Sequence, residues 1–216
     1  MTMDNVFPAL NDRLALHVLT DRDWSRGRST VEVARAAIDG GATVIQLRDK
    51  YANMHTLIEE GKALRKLTRQ RNVLLIVNDR VDVALAIEAD GVHVGQHDMP
   101  GELARKLIGP ERILGISAGS MDEAIAAIAA GADYLGVGPI FATQGKSDAG
   151  APIGLELLSE LKRRYTTPLI AIGGINAENA GAIIRAGATG IAVITAVVNA
   201  LDIAEATRVL ANALTV

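Results

Sequence analysis

The sequence predicts a single α/β domain over residues 1–216, folded as a (β/α)8 TIM barrel with a closed, parallel, eight-stranded sheet. Three observations favour this fold class. One phrase recurs along the chain: a helix tail, Gly-Ala or a variant of it, a polar residue and then an apolar strand. Hydrophobic residues make up 49% of the chain and aromatic residues only 3%, as expected for parallel strands buried on both faces. No dinucleotide-binding glycine fingerprint is present.

The recurring phrase predicts where helices end and strands begin. Glycine directly after a helix adopts a left-handed backbone at little steric cost, and the β-branched residues that follow start a strand. The phrase occurs at residues 39–45, 89–94, 130–135 and 186–191.

These junctions, with the apolar runs between them, predict eight strands. Helical patterns fill the gaps, as at 31–38 and 124–129, and a last helix at 200–214 would close the ring. Right-handed crossovers between parallel strands leave a closed barrel or an open doubly wound sheet, and eight near-equal units favour the barrel. The predicted strands are 14–20, 43–48, 72–77, 91–95, 112–117, 133–137, 168–173 and 189–194.

Composition excludes several classes of function. The formal net charge of -3 gives no general attraction to nucleic acid or to an anionic membrane, so anion binding requires locally placed cations. The chain has no cysteine, which excludes disulfides and thiolate metal sites. No run approaches the ~20 apolar residues of a membrane helix, and the first residues lack a leader pattern. We expect a cytoplasmic protein.

Polar side chains concentrate where the predicted strands end. In such barrels the chemistry gathers at the carboxyl ends of the strands, whereas the strand starts here carry only short connectors. The polar residues at the strand ends are Thr20, Gln46, Arg48, Asp49, Lys50, Asn78, Asp79, Arg80, Gln96, Asp98, Ser117, Thr143, Gln144, Lys146, Ser147 and Thr195.

Each of these clusters also has a purely structural interpretation. The Gln46–Lys50 segment could be a solvated rim, Asn78 and Asp79 a helix N-cap, and Asp98 a cap before Pro100. Their combination favours a site, because aspartates from two neighbouring strands would face cations from an adjacent strand and from the loop after strand 6. Two carboxylates plus phosphate oxygens are a usual way to hold Mg²⁺.

The two glycines at the end of the predicted seventh strand, Gly173 and Gly174, indicate a second anion site. The stretch 172–176 ends a strand and opens a helix, where free backbone N–H groups and the helix dipole favour phosphate. Thr195, with the N–H groups around Ile194, would supply the other half, since the loops after strands 7 and 8 often bind phosphate in barrels. The alternative is a tight turn that binds nothing.

The four histidines are interpreted mainly as structural. His17 and His93 lie within predicted strands and are expected in the core or barrel interior rather than as bases. His55 is expected to be exposed on the second helix. His97, between two polar residues at the rim, could contact a ligand.

Six motifs in order make the chain resemble a known family, thiamine-phosphate synthase. The resemblance spans nearly the whole sequence, from strand 1 to strand 8. The motifs are Gln46-Leu47-Arg48-Asp49-Lys50, Val77-Asn78-Asp79-Arg80, Gly91-Val92-His93-Val94-Gly95-Gln96-His97-Asp98, Gly115-Ile116-Ser117, Gly138-Pro139-Ile140-Phe141 and Ile172-Gly173-Gly174-Ile175.

The resemblance implies an activity and a role for each site residue. A hydroxymethylpyrimidine group would pass from its diphosphate to the nitrogen of a thiazole phosphate, with Mg²⁺ as cofactor and diphosphate as leaving group. Arg48, Lys50 and Lys146 would act in catalysis, and Asp79 and Asp98 would bind Mg²⁺. The pyrimidine diphosphate would contact Gln46, Leu47, Arg48, Asp49, Lys50, Asn78, Ser117 and Lys146. The thiazole phosphate would contact Thr143, Gln144, Gly145, Gly174, Ile194 and Thr195.

Two positions depart from the family pattern, both on the thiazole-phosphate side. Gly145 stands where the family usually has a threonine, and Thr195 where it usually has a serine. Two rival functions remain, a thiazole tautomerase on the same barrel and a non-catalytic sensor of thiazole phosphate. The tautomerase has no need of the two aspartates or of Lys146. The loop 142–150 is a candidate lid, and the chain is a possible homo-oligomer.

Overall fold

The computed structural model describes residues 10–145 and 150–215. Eight parallel strands pair in the order in which they occur along the chain, and the last pairs with the first, so the sheet closes into a barrel. The strands are β1 Leu16–Leu19, β2 Val44–Leu47, β3 Leu74–Asn78, β4 Gly91–Val94, β5 Ile113–Ala118, β6 Tyr134–Val137, β7 Leu169–Ile172 and β8 Gly190–Val193.

Helices lie between the strands in the described part of the chain. They are α1 Leu10–Arg13, α2 Thr30–Asp39, α3 Met54–Arg71, α4 Val81–Ala86, α5 Gly101–Ile108, α6 Met121–Ala129, α7 Glu156–Arg164, α8 Ala177–Arg185, α9 Thr195–Val198 and α10 Ile203–Ala213. None of these helices is long and apolar enough to cross a membrane.

The predicted fold class is confirmed, and the register of the closing strand pair excludes the open sheet. Residues Leu16, His17 and Val18 of β1 stand opposite Ile191, Ala192 and Val193 of β8. All eight predicted strands are present, each within about two residues of its expected ends. The predicted last helix, 200–214, is present as α10, which begins only at Ile203 because Asp202 caps it by accepting the N–H of Glu205.

Left-handed glycines end helices at three of the four recurring phrases. Gly41, Gly131 and Gly187 have φ of 105°, 87° and 110°. The phrase at 89–94 differs, because Glu88 takes the left-handed conformation there, with φ of 53°, and Gly91 belongs to β4. A Cβ at Gly91 would lie 2.2 Å from the carbonyl oxygen of Ile113, so this glycine permits the close approach of β5.

The apolar residues form two clusters separated by the sheet. The larger one lies between strands and helices and includes Leu47, Val77 and Leu135. The smaller one fills the barrel interior and includes Leu19, Ile76 and Tyr134. His17 and His93 are buried, at 1% and 8% exposure, as the sequence predicts. Side chains therefore fill the barrel interior, so an open site is confined to the carboxyl ends of the strands.

Candidate active site

A cavity of about 830 Å³ opens at the carboxyl ends of the strands. Its walls come from the ends of β2 to β8 and the loops that follow them, so the residues that the sequence placed at one end do meet. The predicted site residues that line it are Arg48, Lys50, Asn78, Asp79, Asp98, Ser117, Thr143, Gln144, Gly145, Gly174, Ile194 and Thr195.

Three of the predicted substrate residues that the structure describes, Gln46, Leu47 and Asp49, do not line this cavity, and their contact with substrate remains a prediction. Leu47 is buried in the layer between strands and helices, since successive side chains of a strand point to opposite faces. The carboxylate of Asp49 accepts the N–H groups of Tyr51 and Ala52 and pairs with Arg22. Burial raises the pKa of Asp49, but these hydrogen bonds outweigh it and hold the pKa below its usual value.

Gln46 lies deeper than expected. It is 4% exposed and lines a second, internal cavity of about 20 Å³ beneath the large one. Lys146 lies outside the described residues, as do residues 146–149 of the predicted lid, so the roles of Lys146 and of the lid remain predictions.

Arg48 is positioned by two residues that directly follow β1, which the sequence did not indicate. Its guanidinium pairs with Asp21, with side-chain exposures of 6% and 10%, and its backbone N–H donates to Oγ1 of Thr20 at 2.9 Å. Nε of Arg48 is buried and has no hydrogen-bond partner in the described chain. The side chain is thus held by the residues that follow β1.

The two predicted metal ligands, Asp79 and Asp98, line the same cavity. Asp79 has a left-handed backbone, with φ of 64°, and its N–H donates to the carbonyl oxygen of His93 at 2.7 Å. Such a conformation in a residue other than glycine stores strain that often accompanies a functional site. Oδ2 of Asp98 accepts the N–H of Gly95 at 2.8 Å, which fixes the direction of that carboxylate.

These donors fit Mg²⁺ better than a metal held by the protein alone. Among the described residues no three His, Asp or Glu side chains lie close enough together to hold a metal ion. Mg²⁺ keeps several waters and uses one or two carboxylates plus substrate phosphates. A pair of oxygen donors from consecutive strand ends, next to a cavity large enough for a phosphorylated ligand, matches that preference.

The turn after β7 packs directly on the loop after β6. Gly173 and Gly174 have φ of 100° and 65°, and a Cβ at Gly174 would lie 2.6 Å from the carbonyl oxygen of Ala142. Both left-handed geometry and space therefore require glycine here. The start of α8 differs from the expectation of free N–H groups, since Oδ1 of Asn176 accepts from Glu178 and Asn179.

Ser117 belongs to a buried hydrogen-bonded cluster that sequence reasoning missed. Nε2 of His93 lies 2.9 Å from Oγ of Ser117, and Nδ1 of His93 lies 3.0 Å from the hydroxyl of Tyr134. The signal in the sequence was the pair of glycines within β5 and β6, Gly115 and Gly136. Both make room for the His93 ring, because a Cβ at Gly115 would lie 2.4 Å from its Nδ1 and a Cβ at Gly136 would lie 2.7 Å from its Cε1.

Further polar side chains line the cavity beyond those implied by the resemblance, among them Gln96, His97 and Glu123. The amide of Gln96 donates to the carbonyl oxygen of Ser117 at 2.6 Å. The carboxylate of Glu123 accepts the N–H of Gly119 at 2.7 Å. Glu123 follows a helix-capping serine in the sequence, which by itself indicates only a helix start.

The sequence of this chain also matches the model of a known protein family. The model described as thiamine monophosphate synthase matches residues 16–197, most of the chain and every strand of the barrel. The chain belongs to the thiamine-phosphate synthase family. Thiamine-phosphate synthases are transferases of thiamine biosynthesis, and the resemblance stated from six motifs is confirmed.

Individual relatives of the thiamine-phosphate synthase family agree over nearly their whole length. The thiamine-phosphate synthase of Chloroflexus aurantiacus is 58% identical over 193 residues, covering 89% of this chain and 89% of that protein. That of Moorella thermoacetica is 53% identical over 200 residues, covering 93% and 95%. The solved structure of a thiamine phosphate pyrophosphorylase from Pyrococcus furiosus has a TM-score of 0.88 at 46% identity, covering 95% and 97%.

Proposed function

We propose that this chain is a Mg²⁺-dependent, single-domain transferase that joins a hydroxymethylpyrimidine diphosphate to a thiazole phosphate. The observation that carries the proposal is that Asp79 and Asp98 face the same cavity as Arg48 and Lys50. A tautomerase of the thiazole alone has no use for two carboxylates beside two cations. The relatives are named synthases, which also favours this activity over a sensor.

The pyrimidine diphosphate occupies the side of the cavity formed by β2 to β5. Arg48 and Lys50 provide positive charge there, and Asn78 and Ser117 provide polar contacts at the ends of β3 and β5. Lys146, which the resemblance assigns to the same substrate, completes the cationic set. Fixed charges aimed at a departing diphosphate stabilise the transition state because the cavity is partly withdrawn from water.

Mg²⁺ would be held by Asp79 and Asp98, and when bound it neutralises charge on the diphosphate oxygens. The chain's own contribution is to hold the two carboxylates in place, one by a strained backbone and one by the N–H of Gly95.

The reaction requires one bond to break and one to form. The bond between the pyrimidine methylene carbon and the diphosphate oxygen breaks, and both electrons leave with diphosphate. The thiazole nitrogen then donates its lone pair to that carbon, giving thiamine phosphate. The pyrimidine's amino group stabilises the developing cation, so the chain supplies positioning and charge rather than a nucleophile.

The thiazole phosphate occupies the opposite side, formed by the loops after β6, β7 and β8. Thr143, Gly174 and Thr195 line this part of the cavity. The resemblance assigns the phosphate to the turn at Ile194 and Thr195, and both residues line this part of the cavity.

Diphosphate release is the test of this function. We expect release only when the pyrimidine diphosphate, the thiazole phosphate and Mg²⁺ are all present, with thiamine phosphate formed in equal amount. Release that is independent of the thiazole phosphate, or of added Mg²⁺ after chelation, would contradict the proposal. An active wild type and an inactive but folded Asp98→Asn variant would support it.

A further inference from the structure

Three side chains from consecutive strands form a linear hydrogen-bonded relay beneath the cavity. Tyr134 on β6 contacts Nδ1 of His93 on β4, and Nε2 of His93 contacts Oγ of Ser117 on β5. Tyr134 is 1% exposed and His93 is 8% exposed, whereas Ser117 and His93 both line the large cavity. The relay therefore runs from the barrel interior to the substrate site.

The buried hydroxyl of Tyr134 determines the direction of the two hydrogen bonds that His93 makes. Burial raises the pKa of the Tyr134 hydroxyl far above its ordinary value, so the group keeps its proton. In the described part of the chain that hydroxyl has one hydrogen-bond partner, Nδ1 of His93. Leaving a buried O–H donor without an acceptor costs its full desolvation free energy. With Nδ1 as the acceptor of the Tyr134 proton, the proton of a neutral imidazole resides on Nε2.

We propose that Tyr134 and His93 are positioning residues that turn Ser117 into a hydrogen-bond donor toward the pyrimidine substrate. Nε2–H of His93 donates to Oγ of Ser117, so the hydroxyl hydrogen of Ser117 is directed into the cavity. It meets an acceptor atom of the pyrimidine diphosphate. This inference rests on the proposed function for the identity of the ligand, but the direction of the relay does not.

The same polarity prevents Ser117 from acting as a nucleophile. A serine is activated when the neighbouring histidine accepts its proton, and here His93 donates to that oxygen instead. Tyr134 also carries no negative charge with which to stabilise an imidazolium. The relay thus resembles a serine–histidine pair in its distances but has the opposite direction, which agrees with a reaction that needs no protein nucleophile.

Two glycines make room for this relay. A Cβ at Gly115 would lie 2.2 Å from Cζ of Tyr134 and 2.4 Å from Nδ1 of His93. The Tyr134 hydroxyl and Nδ1 therefore meet against the barrel wall over β5. The rings of His93 and Tyr134 are also stacked, with their centroids 5.5 Å apart.

The internal cavity of about 20 Å³ offers the competing arrangement. It is bordered by His17, Gln46 and Tyr134, and a space of this size has room for one water. A water that accepted the Tyr134 proton would reverse the relay, placing the imidazole proton on Nδ1. The first arrangement is favoured because Nδ1 of His93 is the hydroxyl's one hydrogen-bond partner among the described residues, and the two arrangements differ in a measurable tautomer.

Nitrogen NMR of the whole protein, labelled with ¹⁵N in histidine and saturated with Mg²⁺, measures that tautomer. We expect the His93 signals to show a protonated Nε2 and an unprotonated Nδ1, assigned by their loss in a His93→Gln variant. A protonated Nδ1, or a doubly protonated ring, would overturn the proposal. This readout does not depend on turnover, so an inactive wild type would contradict the proposed function without affecting the relay.

Kinetics of Tyr134→Phe test the link to the substrate. Removing the hydroxyl frees Nδ1, so we expect mixed His93 tautomers and a KM for the pyrimidine diphosphate raised roughly three- to tenfold. The KM for the thiazole phosphate should change less than about twofold. Tyr165→Phe makes the same chemical change in the residue directly after α7, and it should leave both KM values unchanged.

A double variant separates positioning from a general loss of stability. If Tyr134 acts through Ser117, then Tyr134→Phe should have no further effect on the pyrimidine KM in a Ser117→Ala background. Independent, additive effects of the two substitutions would overturn the proposal, as would an unchanged pyrimidine KM in a folded Tyr134→Phe variant.

Discussion

The guanidinium of Arg48 and the carboxylate of Asp21 form an ion pair in which both side chains are at most 10% exposed. Asp21 therefore offsets part of the charge that Arg48 presents to the cavity, and it fixes where that charge lies. The cation predicted to receive the diphosphate is a positioned group rather than a flexible one.

Asp21→Ala should destabilise the protein, since it leaves the buried guanidinium of Arg48 without its counter-charge. Breaking a buried pair by removing one partner costs about 3–5 kcal/mol. Denaturant titration should show that loss, together with a raised KM for the pyrimidine diphosphate. Asp23→Ala, an exposed aspartate in the same loop, is the matched control and should leave the free energy of unfolding unchanged. Equal stabilities for the two variants would mean that the pair is not formed in solution.

Asp79→Asn should remove Mg²⁺-dependent turnover while preserving the fold. Asparagine tolerates the left-handed backbone that this position adopts, so the change isolates the lost charge. Even altering an outer partner of a metal ligand lowers activity or affinity ~10–100-fold, and we expect a loss of at least about 100-fold here. Steady-state diphosphate release across a Mg²⁺ titration measures it, with the thermal midpoint as the check on folding. Near-normal activity would remove the metal assignment.

Gly145→Ser should strengthen binding of the thiazole phosphate. The nearest atoms that a Cβ at this position would meet are Oγ1 of Thr143 at 3.4 Å and Cγ2 of Thr195 at 3.6 Å, which is ordinary contact. The new hydroxyl restores a donor on the side where the family usually has one. One added hydrogen bond corresponds to a KM lowered roughly three- to tenfold. A raised KM for the thiazole phosphate with an unchanged pyrimidine KM would show that the glycine is required there.

Stability should fall between about pH 6.5 and pH 3 in part because of His17. Burial lowers the pKa of His17 from 6.5 to about 3, and a backbone contact with Leu14 offsets a little of this. Below pH 6.5 the unfolded chain binds a proton that the folded chain does not, so the free energy of unfolding decreases as pH falls, by about 1.4 kcal/mol per pH unit.

A His17→Leu variant should lack that contribution. Denaturant titrations at pH 7 and pH 5 should therefore show a smaller decrease for His17→Leu than for the wild type. His55 is exposed, so His55→Leu should follow the wild-type curve. Parallel curves for all three proteins would mean that His17 is protonated or solvated in the folded state.

Much of the fold and part of the site follow from local sequence rules. The recurring glycine after each helix and the aliphatic runs behind it predict eight strands, because left-handed caps and buried parallel strands have characteristic compositions. The order of polar residues along the chain then places Asp79 and Asp98 at neighbouring strand ends. Parallel strands bring those ends together whatever the details of packing.

Side-chain direction and partners could not be obtained in the same way. Leu47 and Asp49 are adjacent to Arg48 in a motif, yet Leu47 packs under the helices and Asp49 pairs with Arg22. In a closed barrel each strand presents alternate residues inward, and the strand's register decides which ones reach the cavity. Residues that are adjacent in a motif point to opposite faces of the sheet, because a β-strand is pleated.

The sequence by itself determined the barrel, the end of the barrel that carries the site and the chemical types gathered there, since these depend on local periodicity and on strand order. Only the tertiary structure decided that Asp21 holds Arg48 and that Tyr134, His93 and Ser117 form one relay. These contacts join side chains from different strands, and their formation depends on the shear of the closed sheet and on the space left by Gly115 and Gly136.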